Sequence, residues 1–258
     1  MSTESRRLNS AGLLPSAAGE PGRGGGKRAQ GIAEQLARQI VAERYPVGRV
    51  IGSEGELLER FNVSRAVLRE AIRVLEHYGI AGTRRGPGGG LAVRQPNATA
   101  AVRAAALNLD FLNAGPLDVF EARSTLELRC VELAAERTDE AGAARLLAAV
   151  AAEQQPGHVC TTASHEIHQI LAELSGNPAF TLFIDVLTQL TSASRASSRH
   201  QPKAPVVHRA HQLIADAVIA GDAALARHRM RAHLIAVGSL SPDTGRKGGF
   251  AGRTRSAA

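Results

Sequence analysis

Ser53-Glu54-Gly55-Glu56-Leu57-Leu58-Glu59-Arg60-Phe61-Asn62-Val63-Ser64-Arg65-Ala66-Val67-Leu68-Arg69-Glu70-Ala71-Ile72-Arg73-Val74-Leu75 is the stretch on which the fold turns. Its first four residues match a capping box, in which the Ser53 hydroxyl and the Glu56 carboxylate each satisfy an orphan amide at a helix start. That short helix has to end around residues 61–63, because Ser64 is set to cap a second helix running from Arg65 to about Tyr78. Two helices joined by so tight a turn predict a helix-turn-helix. In the second, Val67, Leu68, Ala71, Ile72 and Leu75 fall on one side, and Arg65, Arg69 and Arg73 recur every fourth residue on another. One side is built to pack, the other to be presented.

Upstream, Ile32, Leu36, Ile40 and Val41 recur at helical spacing over residues 30–44, until Tyr45-Pro46 stops the helix. Downstream of Gly79, residues 80–83 and 91–93 read as short strands flanking Arg84-Arg85-Gly86-Pro87-Gly88-Gly89-Gly90. A basic, Gly-rich hairpin in that place predicts a winged helix-turn-helix. No Gly-Lys-Ser/Thr follows the glycines, which argues against a nucleotide-phosphate loop.

The 258 residues suffice for two modest domains, and 44% hydrophobic with 21% charged content is ordinary for a soluble globular protein. No apolar run approaches the roughly 18 residues of a spanning helix, and Pro15-Ser16 interrupts the one N-terminal stretch that resembles a signal core, so a cytoplasmic location is expected. Cys130 and Cys160 form no Cys-x-x-Cys pair and read as reduced, packed thiols. The net charge of +7 is unevenly placed: +3 over residues 1–28, +3 over 29–96, −2 over 97–240 and +3 over 241–258. Residues 1–28 and 241–258, rich in Gly, Ser, Ala and Pro, read as flexible tails. Residues 29–96 form the winged helix-turn-helix. Residues 97–240 carry no strand pattern, and helical spacing recurs at 119–135, 141–151, 165–174, 180–191, 206–220 and 223–237. The expected fold is therefore mainly α, a winged helix followed by an all-α antiparallel bundle.

Arginine is the side chain best shaped for guanine edges and phosphates, and Ser64, Arg65 and Arg69 occupy the helix end that usually enters a major groove. Arg84 and Arg85 at the hairpin could reach an adjacent backbone or minor groove. The competing reading is a solvated helix face, with Arg69 or Arg73 paired to Glu70, Glu76 or Glu56. In the second domain, His168, His211 and His233 sit on the apolar stripes of three separate helices. If they converge, their neutral imidazoles could hold Zn²⁺, Ni²⁺ or Mn²⁺ and leave a position for water or a ligand oxygen; singly, each reads as a core histidine.

Through Ser53-Glu54, Val63-Ser64-Arg65, Leu68-Arg69-Glu70-Ala71, Leu75-Glu76, Gly79 and the wing at 86–93, the chain resembles the bacterial GntR transcriptional regulators. The resemblance implies operator contacts from Arg65 and Arg69, from Ser53, Ser64 and Ala66 beside them, and from the wing tip at Arg84, Arg85 and Gly86. Gly55 departs from the many members that carry Arg there, removing a backbone-contacting cation. Residues 117–240 resemble the FCD-type helical effector domain of the FadR-like branch, through Glu121-Ala122-Arg123, His168, Ser175-Gly176-Asn177, His211, Gly221-Asp222 and His233-Leu234. In metal-binding members of that branch, three histidines matching His168, His211 and His233 are joined by an Asp one turn before the first. Ser164 stands there in this chain, and a neutral hydroxyl is a poorer ligand. His165 and His208, each three residues from a cluster histidine, are the conceivable substitutes. Arg123 and Asn177 are the candidate effector contacts, with a helix salt bridge to Glu127 as the alternative for Arg123.

The implied function is that of a homodimeric regulator, in the first instance a repressor, reading a palindromic double-stranded operator under control of a small carboxylic acid, with no membrane involvement. A metal-dependent hydrolase built on the same histidines is the rival, weakened because Glu166, the neighbouring carboxylate in sequence, points away from His168. A nonspecific nucleoid-like binder driven by basic tails is the third reading.

Overall fold

Helix α1 (Gly25–Ala42) places Ala29, Ile32, Leu36 and Ile40 against Leu57, Leu68, Leu75, Leu91 and Val93, and this cluster is the core of the first of two compact units, which divide between Ala100 and Ala101. The structure, a computed structural model, describes residues 25–154, 160–195 and 204–238, with the side chains of all of these except 160–165, 193–195 and 204. The tails at 1–24 and 239–258 lie outside the described residues, as does the expected break at Gln201-Pro202. Helix α1 starts at Gly25, inside the stretch expected to be a tail. Ala29 is fully buried, and the Arg28 guanidinium donates to the Asn62 carbonyl at 2.8 Å, which anchors that first turn.

The short strand β1 (Val50–Gly52) leads into α2 (Glu54–Phe61) and α3 (Arg65–His77). The Ser53 hydroxyl accepts from the Glu56 amide at 3.3 Å, and the Glu56 carboxylate accepts from the Ser53 amide at 2.7 Å, so the capping box is fully formed. Asn62, in the left-handed region at φ 47°, turns the chain after α2, and the Ser64 hydroxyl accepts from the Val67 amide to open α3. The wing pairs β2 (Ala81–Arg84) with β3 (Gly90–Val93) in antiparallel register, Ala81 opposite Val93 and Arg84 opposite Gly90. Sheet order is β1-β3-β2, with a bulge between Val50 and Gly52. Gly90 cannot be replaced without movement, since a Cβ there would lie 2.3 Å from the Gly52 carbonyl oxygen. Strand β1 was not expected, because three residues are too few to display an alternation.

Helix α4 (Thr99–Phe111) also escaped the periodicity reading, and the reason is physical: none of its residues is buried, so it has no packed stripe to reveal. The second unit continues with α5 (Pro116–Arg137), α6 (Glu140–Ala152), α7 (Cys160–Leu174), α8 (Pro178–Arg195), α9 (Ala204–Ile219) and α10 (Ala223–Gly238). Helix α5 packs against α7, α8, α9 and α10, and so runs through the centre of the bundle. Val131, Leu146, Ile167, Leu171, Ile214 and Met230 fill its main core. Cys130 lies in a smaller cluster with Ala172 and Ile184, where burial pushes its thiol up to about 12. Among the described residues no helix is long and apolar enough to cross a membrane.

Leu68 is fully buried in the first core, whereas Arg73 makes only an exposed pair with Glu70 at 3.0 Å. Leu68→Ala should therefore cost about 2–5 kcal/mol of stability, and Arg73→Ala about 0–1 kcal/mol, both followed by urea denaturation.

Candidate functional site

Two groups of residues stand out, one in each unit. In the first, the capped start of α3 presents Ser64, Arg65, Ala66 and Arg69 to solvent. Among the described residues neither Arg65 nor Arg85 has a hydrogen-bond or ion-pair partner. Arg69 contacts Glu54 at 3.5 Å rather than any of the three glutamates considered from sequence, and with side chains 63% and 46% exposed the pair is weak enough to open. Arg84 differs from the expectation of a free wing cation: its guanidinium donates to the Gly88 carbonyl at 2.9 Å and reaches the Gly48 carbonyl at 3.5 Å. Gly86, exposed at φ 96°, adopts a conformation that favours glycine and leaves the wing tip without a side chain. Ser53, half-buried, is engaged in the cap. The chemistry this surface offers is two free guanidinium groups and one releasable one beside a helix N-terminus, a set suited to phosphates and base edges.

In the second unit, His168 of α7, His211 of α9 and His233 of α10 converge, all buried, and each offers a ring nitrogen within 4.8 Å of the others. Nε2 of His211 and Nε2 of His233 are 3.3 Å apart. The three ring centroids lie 4.6 to 5.5 Å from one another.

Carboxylates stand behind two of the rings. Glu153, which follows the last turn of α6, places Oε1 2.6 Å from His211 Nδ1. Glu127 of α5 places Oε2 3.0 Å from His168 Nδ1, although the contact is off the hydrogen-bond axis and leaves those two buried atoms without a formal partner. With Nδ1 of each ring turned to a carboxylate, Nε2 is the nitrogen left to face inward. Burial, reinforced by the neighbouring rings, drives His233 down to about 2, and burial also lowers His168 against the pull of Glu127. Both are therefore neutral near pH 7. Burial alone would raise the Glu127 carboxyl, yet Arg123 and then His168 hold it well below the ordinary range. Burial works to raise the Glu153 carboxyl as well, but its contacts with His211 and then His208 outweigh it and hold it below the ordinary value.

The donor set fits a divalent transition metal. Imidazole nitrogens about 2.0–2.1 Å from a tetrahedral zinc lie about 3.4 Å apart, close to the 3.3 Å between His211 and His233. Inward-facing lone pairs on neutral rings are also what such an ion requires.

The other expected residues fall elsewhere. Arg123, only 4% exposed, donates from Nε to Glu127 at 2.6 Å and from Nη1 to the Thr191 hydroxyl at 2.9 Å, so the salt bridge considered from sequence is what forms. The Asn177 carboxamide oxygen accepts from the Ala179 amide at 3.0 Å as α8 begins. His208 stays outside the three-ring cluster, with Nδ1 3.2 Å from Glu153. The side chains of Ser164 and His165 lie outside the described residues. Sequence reasoning passed over Glu127 as a histidine partner and Glu153 altogether. The spacing of Arg123 and Glu127 held a signal for the first, whereas nothing local marked the second.

The bacterial regulatory protein family gntR matches residues 28–91, and the FCD domain matches residues 118–236. The Exu regulon transcriptional regulator of Escherichia coli (strain K12) is 34% identical over 131 residues, covering 51% of this chain and 49% of that protein. The chain thus spans about half the length of that relative. The HTH-type transcriptional repressor NanR of Salmonella newport (strain SL254) is 28% identical over 231 residues, 86% of this chain and 88% of that one. Among solved structures, Streptococcus agalactiae GntR superposes with a TM-score of 0.65 at 26% identity, covering 82% of this chain and 99% of the other.

The Arg123–Glu127 pair gives a direct stability test. Arg123→Leu strands a buried carboxylate and should cost about 3–5 kcal/mol. Adding Glu127→Leu should recover much of that loss in thermal or urea unfolding.

Proposed function

We propose that the chain, which belongs to the gntR family of bacterial regulatory proteins through residues 28–91 and carries an FCD domain at residues 118–236, is a sequence-specific DNA-binding transcriptional regulator, a repressor in its basal state, controlled by a small carboxylic acid. The observation that carries the DNA reading is the pair of guanidinium groups that have no partner among the described residues, Arg65 at the capped start of α3 and Arg85 at the wing tip. Ser64, Ala66, Arg69 and Gly86 complete the contact surface, and Arg84 and Ser53 shape it. The protein acts in the cytoplasm as a homodimer, whose two-fold symmetry requires a palindromic operator. NanR, a repressor by name, supports the direction of control.

His168, His211 and His233 hold a divalent metal, zinc, nickel or manganese, in the helical unit. Bound there, the ion supplies a Lewis-acidic anchor for an effector carboxylate. The protein's own part is to bury the three rings, keep His168 and His233 neutral and hold His211 through Glu153. The effector acts through unequal affinity for DNA-competent and incompetent arrangements. Arg123 and Asn177, both held by neighbours, serve the effector indirectly by fixing α5 and α8. The hydrolase alternative finds no support among the relatives, which are regulators by name.

Arg65→Ala should weaken binding to a selected operator by about 1–3 kcal/mol and relax its base preference, measured by titration of labelled duplexes; unchanged affinity would remove α3 from the groove. Elemental analysis of protein purified without an affinity tag should find about one metal per chain, lost in His168→Ala and in His233→Ala. A panel of small carboxylates should contain one that shifts operator affinity in the intact protein and not in His233→Ala.

A further inference from the structure

We propose that Glu153 is the positioning residue of the three-histidine centre, holding His211 through Nδ1 so that Nε2 faces inward and supplying the one carboxylate charge beside it that, among the described residues, no arginine balances. The inference rests on the reading that the centre holds a metal.

Three neutral imidazoles bring a dication no compensating charge, so the origin of negative charge around the centre matters. Glu127 does not provide it: Arg123 lies 2.6 Å from its Oε1, and the pair is neutral as a unit. Glu153 is different. Among the described residues its only ionic contacts are imidazoles, His211 at 2.6 Å through Oε1 and His208 at 3.2 Å through Oε2. A carboxylate whose side chain is only 6% exposed, and which among the described residues meets imidazoles rather than a guanidinium or ammonium, is stabilised further by a positive charge nearby. A metal behind the His211 ring is such a charge.

The same carboxylate is gripped at two points. His208 and His211 lie three residues apart on α9 and turn Nδ1 toward one glutamate. The Gln154 carboxamide nitrogen lies 2.6 Å from His208 Nε2, so the ring is held at both nitrogens, by Gln154 at one and Glu153 at the other. His208, a conceivable substitute ligand from sequence, thus clamps the carboxylate instead. Glu153 comes from the end of α6, and its backbone amide donates to the Ala151 carbonyl. A dication, three neutral rings and one outer carboxylate leave a single positive charge, which a monoanionic ligand neutralises.

The test uses full-length protein purified without an affinity tag, stripped by a chelator and titrated with Zn²⁺ alone against a chromophoric competitor. Wild type should bind one equivalent. Glu153→Gln, which keeps an acceptor and loses the charge, should bind about 10–100-fold more weakly, and Glu153→Ala at least as weakly, both with wild-type helical circular dichroism. Nitrogen-15 NMR of the metal-free protein should show the His211 hydrogen on Nδ1 in wild type and a mixture of tautomers in Glu153→Ala, a change that a merely structural residue would not produce. If wild type binds zinc, His168→Ala abolishes it and both Glu153 variants bind as tightly as wild type, the positioning role is overturned and the metal reading stands. If wild type binds no zinc, the metal reading falls and this inference falls with it.

Discussion

A neutral imidazole has two ring nitrogens and one hydrogen, and much of the helical unit serves to decide which nitrogen keeps it. Three such rings buried side by side would have no defined order if each could choose its tautomer freely. Glu153 removes that freedom from His211, to whose Nδ1 it is bonded, and Glu127 stands 3.0 Å from Nδ1 of His168. Burying those carboxylates carries a large desolvation cost of its own, and Arg123 offsets it for Glu127 while the Thr191 hydroxyl accepts one of the guanidinium hydrogens that remain. Helices α5, α7, α8, α9 and α10 and the end of α6 each contribute at least one group to this network. The bundle's helix order and its chemistry meet in α5, which packs against α7, α8, α9 and α10 and carries the Arg123–Glu127 pair beside His168.

The amino-terminal unit obeys the opposite rule. Its polar groups work by being exposed, and what is buried is apolar: Leu36, Leu57, Leu68, Leu75 and Leu91 hold α1, α2, α3 and the sheet together. Caps at Ser53 and Ser64 set where α2 and α3 begin, and the left-handed Asn62 sets the turn between them. Because the two caps act over three or four residues, both were legible in the sequence, whereas only the place of the turn at 61–63, and not the left-handed Asn62 within it, was read there. The same locality explains why the wing strands were recognised: Gly-rich turns and short β-branched or apolar runs are read from neighbours alone.

What stayed hidden depends on long-range packing or on missing periodicity. Strand β1 is too short to alternate, and α4 buries nothing, so neither leaves a pattern. The inward stripes of α7, α9 and α10 named His168, His211 and His233, since an apolar face is a property of one helix. Glu153 lies 58 residues from the ring it touches, and no spacing rule spans that distance. Arg84 illustrates a different limit. Sequence marks it as a basic wing residue, but only the fold shows that the carbonyls of Gly48 and Gly88 already occupy its guanidinium.

That commitment of Arg84 changes how the wing meets a polyanion. Two adjacent arginines on a hairpin invite the assumption of two phosphate clamps, yet one of them braces the hairpin from within, and Arg85 alone extends from it. Each neutralised phosphate releases roughly one counterion from duplex DNA. On the proposed DNA reading, Arg85 is the wing arginine left to reach a phosphate, while Arg84 keeps its charge and adds rigidity to the hairpin that carries Arg85.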